Sequence, residues 1–309
     1  GDTMGRSYSG VDTHAEALHA ASILGTAPPN RTAVVLPLPA TLFPLLTFAV
    51  DRWHDNYNVS IAYPLSRTSL FSLMDALLRA QDGTAERSVY AAPDYLGIIL
   101  HPFVKNARLT PLLWRLLSAV KEWLTRDASS PLYGKAFLGV DDVEEAAVSW
   151  LKRTPRGREL CERDGAVVEG LKKIHHVFFR AFERPSDLAE LSLRLQEAFE
   201  FLMLNTELKS YVLSGEIFTR LIEALEDIKR SRIATERFHD NDEEHGRALR
   251  DFLRRHLKHL SVPFDTTPLE TLEILGLLET RSLRFETVLI LDINEGVIPA
   301  AKHIDPLVP

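Results

Sequence analysis

The sequence places basic side chains at helical spacing near residue 250. Arg247, Arg250, Arg254 and Lys258 follow one another at intervals of three or four residues, which puts them on one face of a helix. Such a row of cations can contact the phosphates of a nucleic acid. It can also be a solvated face whose charges are neutralised by ion pairs within the helix. Spacing alone does not separate these two interpretations.

Histidine, cysteine and acidic residues are the groups from which a metal site could be built. His256 and His259 are three positions apart, but a basic solvated face explains them better. The acidic tract 239–245 lacks the glycine and glutamate spacing of a calcium loop. Cys161 is the single cysteine, which excludes a four-cysteine zinc or iron–sulfur site within the chain. The sequence therefore predicts no metal site.

The motifs of nucleotide-dependent and hydrolytic enzymes are missing from the sequence. It has no GxxxxGK[ST] phosphate loop, no GxGxxG fingerprint, no HExxH, no CxxC and no nucleophile elbow. Phosphoryl transfer needs a phosphate cradle and an acid that holds a metal ion, and the first of these is absent. We therefore predict no catalytic residue and no cofactor for this chain.

The bulk composition is that of an ordinary globular protein. The 309 residues are 45% hydrophobic and 26% charged, which suggests about two domains. A net charge of −7 argues against a surface that binds nucleic acid everywhere, although a local basic row is compatible with it. The uncharged run 33–50 has membrane length, but Pro37, Pro39 and Pro44 would remove three backbone donors. We expect no membrane span and, in the absence of a visible signal sequence, a cytoplasmic location.

The elements that must position these residues change in character along the chain. Short apolar strands are predicted at 32–36 and 59–63, with amphipathic helices around them. From about residue 80 to 260 helical patterns follow one another and strand patterns almost vanish. The strand-like run 287–291 then leads into the loop 292–299. We therefore predict an α/β fold with a parallel sheet, and a ligand-facing position for this last loop.

The stretch 272–299 contains, in this order, G-L-L-E-x-R, an apolar strand and N-E-G-x-x-P. This order resembles the B subunit of AddAB-type helicase–nucleases, a group described as inactivated superfamily I helicases with a PD-(D/E)XK nuclease. Residues 33–37 and 58–65 resemble the start of the second RecA-like domain in these proteins. Residues 100–104, L-H-P-F-V, resemble the L-x-H-P-x-V stretch of their helical insertion.

In active superfamily I helicases, the related motif V reads roughly T-x-H-x-x-K-G-L-E-F before the strand and E-G-x-x-P after it. When Leu283 and Phe285 are aligned with its leucine and phenylalanine, most polar positions carry other residues. These are Gly276 for the threonine, Leu278 for the histidine, Arg281 for the lysine, Ser282 for the glycine and Arg284 for the glutamate. The strand and the turn at Glu295 and Gly296 are retained, and the resemblance puts Glu295 near a nucleotide ribose.

The resemblance implies a RecA-like (P-loop NTPase-like) parallel-sheet domain that is split by a large all-α insertion. Residues 1–80 and 262–309 would form the α/β part, and residues 81–261 the helical part, which correspond to regions 2A and 2B of helicases. We expect the chain to be a segment of a longer protein, with an ATPase-like domain before it and a PD-(D/E)XK nuclease domain after it.

The function implied by the resemblance is a non-catalytic, helicase-like scaffold in an ATP-dependent helicase/exonuclease of DNA double-strand-break repair by recombination. DNA and a partner helicase subunit are the implied partners, with Arg281 and Arg284 as candidates for DNA or interdomain contacts. Two alternatives stay open. The chain could supply Glu295 and its neighbours to a nucleotide bound by another domain, as an ATPase half-site, or it could be a docking module for the partner helicase.

Overall fold

The computed structural model describes residues 5–28, 31–50, 57–82, 89–183, 185–208, 211, 213–237, 243–264, 272–281, 283–294 and 297–298. The helices of this part of the chain are α1 Thr13–Leu24, α2 Leu42–Leu45, α3 Ser69–Asp82, α4 Ala92–Ile99, α5 Pro102–Lys105, α6 Leu113–Thr125, α7 Val140–Arg153, α8 Pro155–Arg163, α9 Val167–Phe178, α10 Leu188–Asn205, α11 Ser214–Arg230 and α12 Glu243–Lys258. The strands are β1 Thr32–Leu36, β2 Tyr57–Ser60, β3 Tyr63–Pro64, β4 Val89–Ala91, β5 Phe137–Gly139, β6 Ser261–Val262, β7 Leu272–Gly276 and β8 Thr287–Ile290.

The chain divides into two compact units. Unit 1 consists of Gly1–Arg67 and Ser261–Pro309, and unit 2 of Thr68–Leu260. The sequence placed the return to the α/β part at residue 262, and unit 1 resumes at Ser261. The sequence placed the end of the first α/β segment at residue 80, whereas unit 1 ends at Arg67, because α3 packs with α4 and α12 and so belongs to unit 2.

The core of unit 1 is a parallel sheet in the strand order β2-β7-β1-β8 within the described residues. Val34 of β1 lies opposite Ile274 of β7 on one side and Leu289 of β8 on the other. All of β1 is buried, as expected for a strand with neighbours on both sides and a run of β-branched and apolar side chains. The predicted α/β fold with a parallel sheet is therefore confirmed.

The predicted strand 59–63 is divided in two in the structure. Residues 57–60 pair with β7 in the parallel sheet, whereas Tyr63 and Pro64 pair antiparallel with Val262 and Ser261. Proline cannot donate a ladder hydrogen bond, so the second pairing is a two-residue contact that ends there. This contact lies at the two points where the chain leaves unit 1 and returns to it.

Unit 2 is mostly helical, and its described part includes a short antiparallel pair in which Val89 of β4 lies opposite Gly139 of β5. The sequence pattern 157–182, which is typical of one long helix, forms two helices instead. Asp164 leaves the helical conformation at φ −148 and ψ 81, and its carboxylate accepts a hydrogen bond of 2.8 Å from the backbone N–H of Leu112. No helix in the described ranges is both long and apolar enough to cross a membrane.

A buried polar chain joins α4, α7 and α9 in the core of unit 2. The Tyr95 hydroxyl lies 2.7 Å from His175 Nε2, and His175 Nδ1 lies 2.8 Å from Glu144. Burial lowers the pKa of His175, so the neutral ring accepts from Tyr95 and donates to Glu144. Burial alone would raise the pKa of Glu144, but hydrogen bonds from His175 and Arg180 bring it down to about 2. Every member of this chain has a partner, which makes it a structural network of the core.

Removing one link of this network should destabilise unit 2. Tyr95→Phe leaves His175 Nε2 buried without its donor, and we expect the free energy of unfolding to fall by about 1–3 kcal/mol. Urea denaturation followed by circular dichroism measures the change. Tyr133→Phe is the matched control, since this ring is 50% exposed and should change stability by less than about 0.5 kcal/mol. Equal stability of the two variants would contradict the assignment.

Candidate functional site

The carboxyl edge of the parallel sheet brings together residues that follow two neighbouring strands. Thr41 comes after β1 and Asp292 comes after β8, and both side chains are buried. The hydroxyl of Thr41 donates a hydrogen bond to the Asp292 carboxylate. Asp292 has a φ of 54, a left-handed conformation that aspartate adopts more readily than most residues. The loop after β8 is thus fixed to the loop after β1 at the edge where parallel sheets bind ligands.

A second carboxyl group from α1 faces this pair. Burial raises the pKa of Glu16, the negative charge of Asp292 raises it further, and a backbone hydrogen bond from Asp292 acts in the opposite direction. The edge therefore holds two acidic groups and a hydroxyl. The negative charge of the carboxylates repels a phosphate. Among the described residues, no group of three or more histidine, cysteine or acidic side chains could hold a metal ion.

The residues singled out by the motif-V resemblance are only partly described. Glu295 and Gly296 lie outside the described residues. Arg281 and Arg284 are both exposed, and neither forms an ion pair with another described residue. By contrast, Arg31 forms an ion pair with Glu286 at the start of β8. Within the described part of the chain, no acidic neighbour thus neutralises the charges of Arg281 and Arg284.

The basic face of α12 separates into two pairs of residues with different surroundings. Arg250 Nε lies 2.6 Å from Asp82 Oδ1, and Arg254 Nε lies 2.7 Å from Asp75 Oδ1. A second nitrogen of Arg254 is 3.4 Å from Asp82 Oδ2. These four side chains are between 15% and 27% exposed, so the ion pairs are largely shielded from water.

The other two residues of that face, Arg247 and Lys258, are exposed and have no ion pair within the described ranges. The sequence also allowed ion pairs within the helix to neutralise this row. Among the described residues, the contact between Arg254 and Asp251 is the one such pair formed by the row. The main partners of Arg250 and Arg254 come from α3. We call Arg247 and Lys258 the open cations of α12, because they alone of the predicted row remain available to a phosphate.

Sequence reasoning missed the partner of the basic row, although a signal for it exists. Asp75 and Asp82 are seven residues apart, which is two helical turns, and so lie on one face of α3. Two acidic residues at that spacing complement two arginines at i and i+4. What the sequence does not contain is the information that α3 and α12 are neighbours.

The carboxylate shared by Arg250 and Arg254 should contribute to stability. We expect Asp82→Ala to lower the free energy of unfolding by about 1–3 kcal/mol, because it leaves two partly buried guanidinium groups short of a partner. Asp227→Ala, at an exposed site on α11 without an ion pair in the described part of the chain, is the control. Urea denaturation measures both variants. If Asp82→Ala costs no more than Asp227→Ala, the two helices are not held by these charges.

The pair formed by Glu16 and Asp292 gives a pH-dependent prediction. The folded-state pKa of Glu16 is raised, so its protonated form stabilises the fold, and this contribution is lost as the pH rises through that pKa. We expect Glu16→Gln to be more stable than the parent by roughly 0.5 kcal/mol near pH 7. The gain should disappear below about pH 4, where the carboxyl is protonated in both states. Thermal unfolding over a pH series measures it.

The control for this prediction is the same change in an Asp292→Asn background, where asparagine tolerates the left-handed backbone. Glu16→Gln should then bring a smaller gain near pH 7, because burial, the larger cause of the raised pKa of Glu16, remains. A gain as large as in the parent background would mean that the charge of Asp292 does not contribute to it.

Comparisons with known proteins assign no chemistry to these residues. No protein-family model matches the chain, and no curated protein matches it either.

Proposed function

We propose that the chain is a helicase-like scaffold without enzymatic activity of its own, part of an AddB-type subunit in DNA double-strand-break repair. In this proposal unit 1 is a RecA-like domain and unit 2 is its all-α insertion. The observation that carries the proposal is the sheet order. The strand that precedes the N-E-G-x-x-P stretch, β8, pairs in parallel with β1, which is the strand that opens the first half of the domain.

The chemistry at the carboxyl edge supports a scaffold in preference to a motor. A motor domain places cations and backbone N–H groups where phosphates bind. Here the edge has the acidic groups Glu16 and Asp292 and the Thr41 hydroxyl, which hold the loops together by hydrogen bonding to one another. The framework of the site is compatible with the family fold, whereas its side chains are unsuited to a nucleotide phosphate.

The contact with DNA is assigned in this proposal to exposed cations that form no ion pair with another described residue. Arg281 and Arg284 in unit 1 and the open cations of α12, Arg247 and Lys258, meet this condition. Each phosphate contact with a lysine or arginine releases condensed counterions, so binding through them should weaken as the salt concentration rises. Arg250 and Arg254 are left out, because their charges are used in the ion pairs with α3.

The test is binding of the chain to labelled single-stranded and duplex DNA across a salt series. We expect Arg281→Ala/Arg284→Ala or Arg247→Ala/Lys258→Ala to weaken binding about 5- to 50-fold at low salt and to reduce the salt slope by up to about 2. The control is Lys173→Ala/Arg230→Ala, which removes the same charge from exposed positions on α9 and α11.

Each of three outcomes of this experiment is decisive for the DNA contact. A loss confined to one double variant assigns that surface as the strand contact. Equal losses in all three variants would reflect net charge alone and would contradict a specific surface. No binding at low salt would exclude direct DNA contact by this chain and would favour docking of the partner helicase.

A further inference from the structure

Unit 2 contains an open cleft of about 660 Å³ that is lined by the segment 102–111, by Trp114 at the start of α6 and by residues that follow α10. Three aromatic rings border it. Trp114 is 45% exposed and Tyr211 is 60% exposed, although large aromatic side chains are usually buried. The ring of Phe103 lies 6.1 Å from that of Tyr211 in an edge-to-face arrangement. The cleft therefore offers flat apolar surfaces to the solvent.

Cations surround these rings. Lys105 and Arg108 line the cleft, and the guanidinium of Arg115 stands 5.3 Å from the centre of the Trp114 ring. Among the described residues of the lining, one is acidic: Glu207, which forms an ion pair with Arg108. The balance of charge around the aromatic rings is thus positive, although the chain as a whole is acidic.

The backbone segment that carries Phe103 is held in place. The backbone N–H of Phe103 donates to His101 Nδ1 at 3.4 Å, and that of Arg108 donates to the Asn205 carbonyl at 2.7 Å, which ties the segment to the end of α10. Burial lowers the pKa of His101 to about 4, so this acceptor stays neutral at physiological pH. A preformed surface of this kind loses little conformational entropy when a ligand binds.

We propose that this cleft binds an unpaired stretch of nucleic acid, with bases stacked on Trp114 and Tyr211 and backbone phosphates beside Lys105, Arg108 and Arg115. Aromatic rings interleaved with cations are the combination that binds single strands without reading their sequence. An apolar peptide would not use the cations, and duplex DNA would not offer its base faces to the rings. The choice of DNA as the strand rests on the proposed function, whereas the site is separate from the cations assigned there.

The test compares two double variants in binding a short labelled oligothymidylate at low salt. Trp114→Ala/Tyr211→Ala should bind about 5- to 100-fold more weakly than the parent, because each stacked base is lost. The control, Tyr133→Ala/Phe137→Ala, removes two rings that are 50% and 58% exposed elsewhere in unit 2, and it should bind as the parent does. Circular dichroism checks that both variants fold.

An abasic oligonucleotide of the same length separates stacking from charge. It should bind the parent more weakly than oligothymidylate does, and it should bind the parent and Trp114→Ala/Tyr211→Ala equally. If the cleft variant keeps the parent's affinity for oligothymidylate, or loses as much affinity for the abasic strand, the inference is overturned.

This result is independent of the test of the proposed function. A loss in the cleft variant without any loss in the variants of Arg281, Arg284, Arg247 and Lys258 would support the cleft and contradict the DNA surfaces proposed above. The reverse pattern would support those surfaces and overturn the cleft. No binding of any strand by the parent would overturn both.

Discussion

The position of β1 between β7 and β8 is the constraint on which unit 1 depends. Both neighbours of this strand come from the last part of the chain. More than two hundred residues therefore separate β1 from its partners in the sequence. Contacts of such long sequence separation are slow to form, because the loop must be closed before the pairing is gained. The short pairing of Tyr63 and Pro64 with Val262 and Ser261 brings the two halves of unit 1 side by side where they meet.

Each unit also has a polar cluster in its interior, and both clusters are satisfied from within. In unit 1, Thr41 and Glu16 interact with Asp292, and in unit 2 the chain from Tyr95 to Glu144 passes through His175. Groups that are hydrogen-bonded to one another in this way fix the geometry of loops and helices, but few of their donors and acceptors are left to bind a ligand. The proposed contacts are instead made by cations and aromatic rings that reach the solvent.

Local sequence was sufficient to predict the elements that are long or strongly apolar. β1 and β8 were predicted because their side chains are β-branched and apolar, and most helices of unit 2 because their apolar residues recur at helical spacing. β4 and β5 were not predicted, since strands of three residues have no readable period. At the break between α8 and α9, the Asp164 carboxylate accepts a hydrogen bond from the backbone N–H of Leu112, about fifty positions earlier. Local propensity carries no information about such a contact.

The candidate sites, too, depend on contacts between residues that are far apart in the sequence. Helical spacing identified the basic face of α12, but the roles of its members depend on Asp75 and Asp82 in a distant part of the sequence. The aromatic cleft could not be predicted from any one segment, because Phe103, Trp114 and Tyr211 come from three separate stretches of chain. The family resemblance gave no indication of it either, since within unit 2 it rests on residues 100–104 alone.

The ion pairs between α3 and α12 join the first and the last helix of unit 2. A segment whose entry and exit helices are fastened together starts and finishes at one place. The number and type of residues between these two helices can then change while the strands before and after the segment keep their pairing. Substitutions and insertions in unit 2 can in this way create new binding surfaces without disturbing the parallel sheet of unit 1.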